Sequence, residues 1–281
     1  MKATWLVMLM VVFLTLPSCA QLEIKDSSGK QESALKTEKA SYHSRREFSD
    51  AEEAQIGQAI AVAILGENAL HRNENLQRYV NRVGYWVALR STRPDLQWSF
   101  GVLDTPTINA FAVPGGTVFI SVGLIKKLDS ESELAGVLAH EIAHVTQRHH
   151  LHALTDYVGK QEVSAFFDKR NSHYADAKKQ LITGSIEIFS KGLARKDEYE
   201  ADRIGATLVA RAGYDPYGLA AYLQMLSTLT QQESNLSLLV QAHPQPAERI
   251  NELEKHTAML DRYASQPQVT TRFKAMIKGL K

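Results

Sequence analysis

Polar and apolar positions change period several times along the chain. Ile56, Ile60 and Ile64 recur every four residues after Ser49, and Glu52 stands three residues beyond that serine. This predicts a helix opened by a capping box. Tyr79, Val83, Trp86 and Val87 form the apolar face of a second helix, from about Leu76 to Leu89, with Pro94 beyond its end. The period then falls to two. Trp98, Phe100 and Val102 alternate with small or polar residues, as in a half-buried strand. After a turn at Asp104-Thr105-Pro106, Asn109 to Val113 and Thr117 to Val122 read as two further strands joined by Pro114-Gly115-Gly116. Helical spacing returns at Ser130. Glu133 makes a second capping box there, and Leu134, Val137, Leu138 and Val145 give one buried stripe. Residues 151–192 read as helical with a break near Asp168 to Ser172, a segment able to lie as a lid over a cleft. The stretch GLARKDEYEADRIGATLVARAG predicts a helix ending near Gly213, and Pro246 suits the first turn of another. The expected fold is α+β, mostly helical, with a small three-stranded sheet beside the helix that follows Ser130.

The N-terminus departs from this patterning. MKATWLVMLMVVFLTLPSCA has Lys2 at its start, an apolar run from Trp5 to Leu16, and then small residues and a cysteine. It reads as an export signal, too short and too abruptly ended for a membrane span. Cys19 is the only cysteine, so an internal disulfide is excluded. It stands where a bacterial lipoprotein signal places its lipidated residue, in Leu16-Pro17-Ser18-Cys19, and a plain secretory signal is the alternative. Residues 20–48 are polar and read as a flexible tether. The expected organisation is a lipoprotein-type signal over 1–18, a tether over 19–48 and one domain over 49–281. Ala20 after the cysteine points to the outer membrane, with the domain on the periplasmic side. The remaining composition is that of an ordinary globular protein, with 44% hydrophobic and 22% charged residues in 281. A net charge of +1 without clustered Lys and Arg argues against a nucleic-acid partner.

The candidate chemistry lies in LAHEIAHVTQRHH, residues 138–150. His140 and His144 are four apart on one helix face and can fill two positions of a tetrahedral zinc. Glu141 follows the first histidine and can take a proton from the attacking water. His149, His150 and His152 are close in sequence, but the Gly and His of the longer metzincin pattern are absent. Glu198 and Asp202 share a face one turn apart on the later helix. Glu198 can complete a His-His-Glu set, and Asp202 can accept the free ring N–H of a ligating histidine. Glu200 lies on another face, although spacing alone leaves it open as a ligand.

NAFAVPGGTVFISVGLIKKLDSESELAGVLAHEIAHVTQRH, with DEYEADRIG downstream, closely resembles zinc metallopeptidase family forty-eight, the HtpX, Oma and CAAX prenyl protease type. Several separate motifs agree in order across most of residues 49–256, and the absence of later hydrophobic spans resembles the soluble periplasmic lipoprotein branch. The resemblance implies a zincin-like fold holding one zinc ion. It assigns His140, His144 and Glu198 as ligands, against Glu200, with Glu141 as general base and Asp202 behind the ligands. It places the strand Asn109, Ala110, Phe111 and Ala112 beside the cleft, where an extended substrate would pair with it. His243 resembles a His-Pro histidine that contacts the oxyanion or gates the metal, and Arg249 an arginine that contacts substrate or pins the loop.

These readings predict a zinc-dependent endopeptidase in the bacterial envelope. Its partners would be polypeptides in extended conformation, offered by exposed, unfolded or misassembled proteins, and the membrane would be met only through the lipid. The rival is a zinc-stabilised, lipid-anchored chaperone or assembly factor without turnover, against which the intact Glu141 argues. A metallohydrolase of non-peptide bonds is a third reading, disfavoured by the NAFAVPGG strand.

Overall fold

In this computed structural model, residues 48–229, 243–256, 258 and 260–280 are described. The expected signal, Cys19 and the expected tether up to residue 47 lie outside the described residues. Phe48 was expected to end the tether. It is instead buried among the side chains of α1 and its neighbours, so the folded part includes it.

Helix α1 (Asp50–Glu67) opens with the expected capping box: Ser49 Oγ accepts from the Glu52 N–H, and the Glu52 carboxylate accepts from the Ser49 N–H. Helix α2 (Glu74–Ala88) is capped by Asn73, whose side chain accepts from the N–H groups of Asn75 and Leu76. Strands β1 (Ser99–Leu103), β2 (Ala110–Val113) and β3 (Thr117–Ser121) form the sheet in the order β1-β3-β2. β1 runs parallel to β3, with Ser99 opposite Thr117. β2 runs antiparallel to β3, with Ala110 opposite Ile120, and forms one edge of the sheet.

Both faces of the sheet are covered, which follows from strand alternation. Phe100, Val102, Ala110, Ala112, Val118 and Ile120 face a large core shared with α2 and the later helices. Leu103, Phe111, Val113 and Phe119 face a second cluster with Ile56, Ile60 and Ile64 of α1. After the short α3 (Val122–Ile125) comes α4 (Glu131–Thr146), which carries the histidine motif. Its Ser130 cap is present. The return bond of the expected box is not, because Glu133 Oε2 accepts from the Asp129 N–H instead.

The sequence suggested one buried stripe on α4, but every residue from Glu131 to Val145 is buried. The cause lies in small residues on α4 and on the helix that crosses it. A Cβ on Gly136 would stand 2.7 Å from the Leu219 backbone nitrogen, and one on Gly205 would stand 3.1 Å from that of His140. Helices α8 (Arg195–Arg211) and α9 (Gly218–Thr228) therefore approach α4 closely at these glycines.

The segment after α4 divides into α5 (His149–Val158), α6 (Lys160–Phe167) and α7 (Tyr174–Lys191). The break over residues 168–173 lies where expected, and Gly159 at φ 87° adds another. Helices α10 (Pro246–Glu254) and α11 (Thr270–Ile277) follow. Among the described residues, no helix is long and apolar enough to cross a membrane.

Candidate metal centre

Helical spacing sets the first pair of donors. His140 Nε2 and His144 Nε2 lie 3.0 Å apart on the buried face of α4. α8 crosses that face and brings Glu198 to both: its Oε2 is 3.6 Å from His140 Nε2, and its Oε1 is 3.5 Å from His144 Nε2. The loop before α10 delivers His243, whose Nδ1 lies 2.5 Å from Glu198 Oε2. One donor atom each from His140, Glu198 and His243 falls within 4.8 Å of the others. His144 was the expected second histidine of the ligand set, and its Nε2 borders the same group.

The surroundings favour a cation here. Glu198 is fully buried, and its Oε1 has no hydrogen-bond partner. A buried carboxylate oxygen without a partner is costly unless a cation satisfies it. Burial alone raises the Glu198 pKa, but His243, His140 and His144 hold it well below the usual carboxylate range. Burial and the Arg249 charge push His140 down, yet Asp202 and Glu198 outweigh them and bring its imidazole up to about 9. Burial depresses His144, which keeps its ring neutral and a lone pair free for coordination. Two imidazoles and a carboxylate suit a divalent ion that accepts nitrogen and oxygen ligands.

Asp202 stands behind this group. Its Oδ1 accepts from His140 Nδ1 at 2.9 Å, which in the neutral ring leaves Nε2 as the lone-pair nitrogen. Arg249 was expected to contact substrate or to pin the loop. It is only 3% exposed and forks onto Asp202, Nε to Oδ2 at 2.8 Å and Nη2 to Oδ1 at 2.6 Å. The same guanidinium also borders the donor group, with Nη2 3.4 Å from His140 Nε2 and Nη1 3.9 Å from Glu198 Oε2.

Glu141 is buried and lines a small cavity with His144, Glu198 and His243. Burial raises its pKa, while His140 and His243 oppose the rise. Asn109, Ala110 and Phe111 form another wall of the cavity. Asn109 precedes β2 rather than belonging to it, and Ala112 is buried in the main core away from this wall. The end of α7 closes the far side with Ile188, Phe189, Gly192 and Leu193.

Two histidines that the sequence offered beside the motif, and that were set aside as ligands, border the site. His150 lines the cavity and packs against Phe189 in a tilted pair, 5.2 Å between centroids, its pKa lowered to about 3, mainly by burial. His149 Nδ1 lies 3.0 Å from His144 Nδ1. The clue was the doubled histidine directly after the motif. Glu200, left open by spacing, sits with His149 and not with the donor group.

The sequence model for Peptidase family M48 matches residues 71–257, a span that includes every donor just described. The chain belongs to peptidase family M48. The Beta-barrel assembly-enhancing protease of Escherichia coli (strain K12) is 30% identical over 206 residues, covering 71% of this chain and 42% of that protein. The Mitochondrial metalloendopeptidase OMA1 of Schizosaccharomyces pombe is 32% identical over 183 residues, covering 63% and 52%. The chain thus spans about half, or less, of the length of these M48 relatives.

Proposed function

We propose that this M48 chain is a zinc-dependent endopeptidase that cleaves exposed, unfolded or misassembled proteins of the cell envelope. The carrying observation is the convergence of His140, His144 and Glu198, with Glu141 and the Asn109–Phe111 wall on the same cavity. His140, His144 and Glu198 would hold one zinc ion. Bound zinc supplies Lewis-acid polarisation of the scissile carbonyl and makes the attacking water more acidic. Substrate lies extended along the edge strand beginning at Ala110, where backbone pairing gives affinity with little sequence preference. Glu141 takes the proton from the attacking water and passes it to the leaving amine, a role suited to a buried carboxylate of raised pKa. Asp202, held by Arg249, keeps His140 in the required tautomer. His243 contacts the oxyanion or gates the site. Its 2.5 Å contact with Glu198 supports gating in the resting state.

The chain acts from the periplasmic side, anchored to the outer membrane through lipid on Cys19. The lone cysteine at the end of the signal and the likeness to a beta-barrel assembly-enhancing protease support that address. The second reading, a zinc-stabilised chaperone or assembly factor without turnover, is favoured by the closed side of the cavity at Phe189.

The test is casein cleavage by the full chain in detergent with stoichiometric zinc. The parent should cleave and Glu141→Gln should not. Cleavage by both would sink the mechanism, and cleavage by neither would favour the chaperone reading.

A further inference from the structure

His144 uses both ring nitrogens. Nε2 faces the donor group, 3.0 Å from His140 Nε2 and 3.5 Å from Glu198 Oε1. Nδ1 faces the other way, 3.0 Å from Nδ1 of His149. His149 is 5% exposed, and its own Nε2 lies 3.4 Å from Glu200 Oε2. The chain of contacts ends near the surface, where the other Glu200 oxygen lies 3.7 Å from Arg203.

Two ring nitrogens at 3.0 Å form a hydrogen bond only if one carries the proton and the other offers a lone pair. Glu200, as a carboxylate, only accepts. If Nε2 of His144 is a metal ligand, the proton of that neutral ring sits on Nδ1 and is donated to His149 Nδ1. The His149 proton then sits on Nε2 and is donated to Glu200. For two neutral rings, this is the single tautomer assignment that satisfies the metal and both contacts. It also parallels the other ligand: His140 gives its Nδ1 proton to Asp202 directly, at 2.9 Å.

We propose that His149 and Glu200 form a relay that fixes the tautomer and ring orientation of His144 for metal binding. His149 is the main positioning residue. Glu200, at the longer contact, sets the His149 tautomer. The proposal rests on reading His140, His144 and Glu198 as metal ligands. It gives Glu200 a role in the site without coordination. It also explains why the chain bends before His149. Arg148 adopts φ 58°, a left-handed turn that ends the α4 run and swings the His149 ring back against His144.

The test measures zinc affinity, by competition with a chelating dye, on the full chain in detergent. His149→Phe keeps a ring and removes the acceptor, and should weaken zinc binding about 10–100-fold. His149→Asn restores an acceptor near the Nδ1 position and should stay within about fivefold of the parent, as should Glu200→Gln. Nitrogen NMR of the zinc-loaded parent should find His144 protonated at Nδ1 and His149 protonated at Nε2. This reading stands even if a variant fails to fold. Parent-like affinity in His149→Phe, or the opposite tautomers, would overturn the relay while leaving the metal site intact. Zinc affinity unchanged by His144→Ala would instead overturn the metal site itself.

Discussion

Arg148 and Glu53 meet at 2.9 Å, Nε donating to Oε2, although ninety-five residues separate them. Glu53 is fully buried and accepts also from Arg93 Nη2 at 2.8 Å and from the Gly115 N–H at 3.1 Å. Arg93 continues to the Val145 carbonyl at the end of α4. One carboxylate therefore ties α1 to the β2–β3 turn and to the exit of the metal helix. Glu53→Gln keeps the shape and removes the charge. It should destabilise the fold by about 2–3 kcal/mol. That is less than the roughly 3–5 kcal/mol of a fully buried pair, because Asp50 still accepts from both arginines. Urea unfolding checks this, and a parent-like midpoint would mean the clamp is not a main tie.

Glu141→Gln separates binding from chemistry. The amide cannot take a proton, whereas the donors on His140, His144 and Glu198 are untouched. Zinc content should stay at the parent level while turnover falls at least about 100-fold. Chelation should abolish parent activity, and zinc should restore it. Zinc analysis beside a peptide cleavage assay reads both, and a variant that loses its zinc would place Glu141 among the ligands.

Periodicity carried much of this architecture to the surface of the sequence. The i, i+4 pairs His140–His144 and Glu198–Asp202 could be read because one helix turn is a fixed distance. What pairs those helices could not be read, because Gly136 and Gly205 act through the space they leave. The positions of His149 and His150 depend on the left-handed residue Arg148. An uninterrupted helix would carry His149 away from His144. The fork of Arg249 onto Asp202 was illegible for a similar reason, since it joins α10 to α8 across forty-seven residues.

Phe189 lies 5.1 Å from Phe111 and 5.2 Å from His150 between ring centroids, so the end of α7 rests on the wall where substrate is proposed to pair. Aromatic contacts of this kind are worth about 0.5–1.5 kcal/mol beyond area burial. Phe189→Ala should shift the balance toward an open site and raise kcat/KM for a short unstructured peptide by roughly two- to tenfold. Reduced cleavage would instead make Phe189 part of the substrate surface.

Acid should weaken the fold through Glu131, far along α4 from the metal group. Glu131 is fully buried and accepts from Arg272, from Tyr79 at 2.5 Å and from Tyr214 at 2.8 Å. Burial alone raises its pKa, but these hydrogen bonds and the Arg272 charge outweigh it and hold the carboxyl below its usual range. A depressed folded pKa stabilises at pH values above the unfolded carboxylate value of about 4.3, and that stability is lost as pH falls below it. Metal-free protein avoids confusion with acid release of zinc. Glu131→Gln should be less stable than the parent at pH 7 by about 2–4 kcal/mol. The gap should narrow as pH falls below about 4.3, because the unfolded parent then takes up a proton that the folded state resists. Urea midpoints of both proteins from pH 7 to pH 3 measure the gap. A constant gap across that range would show that Glu131 stabilises by packing, and that its ionisation contributes nothing.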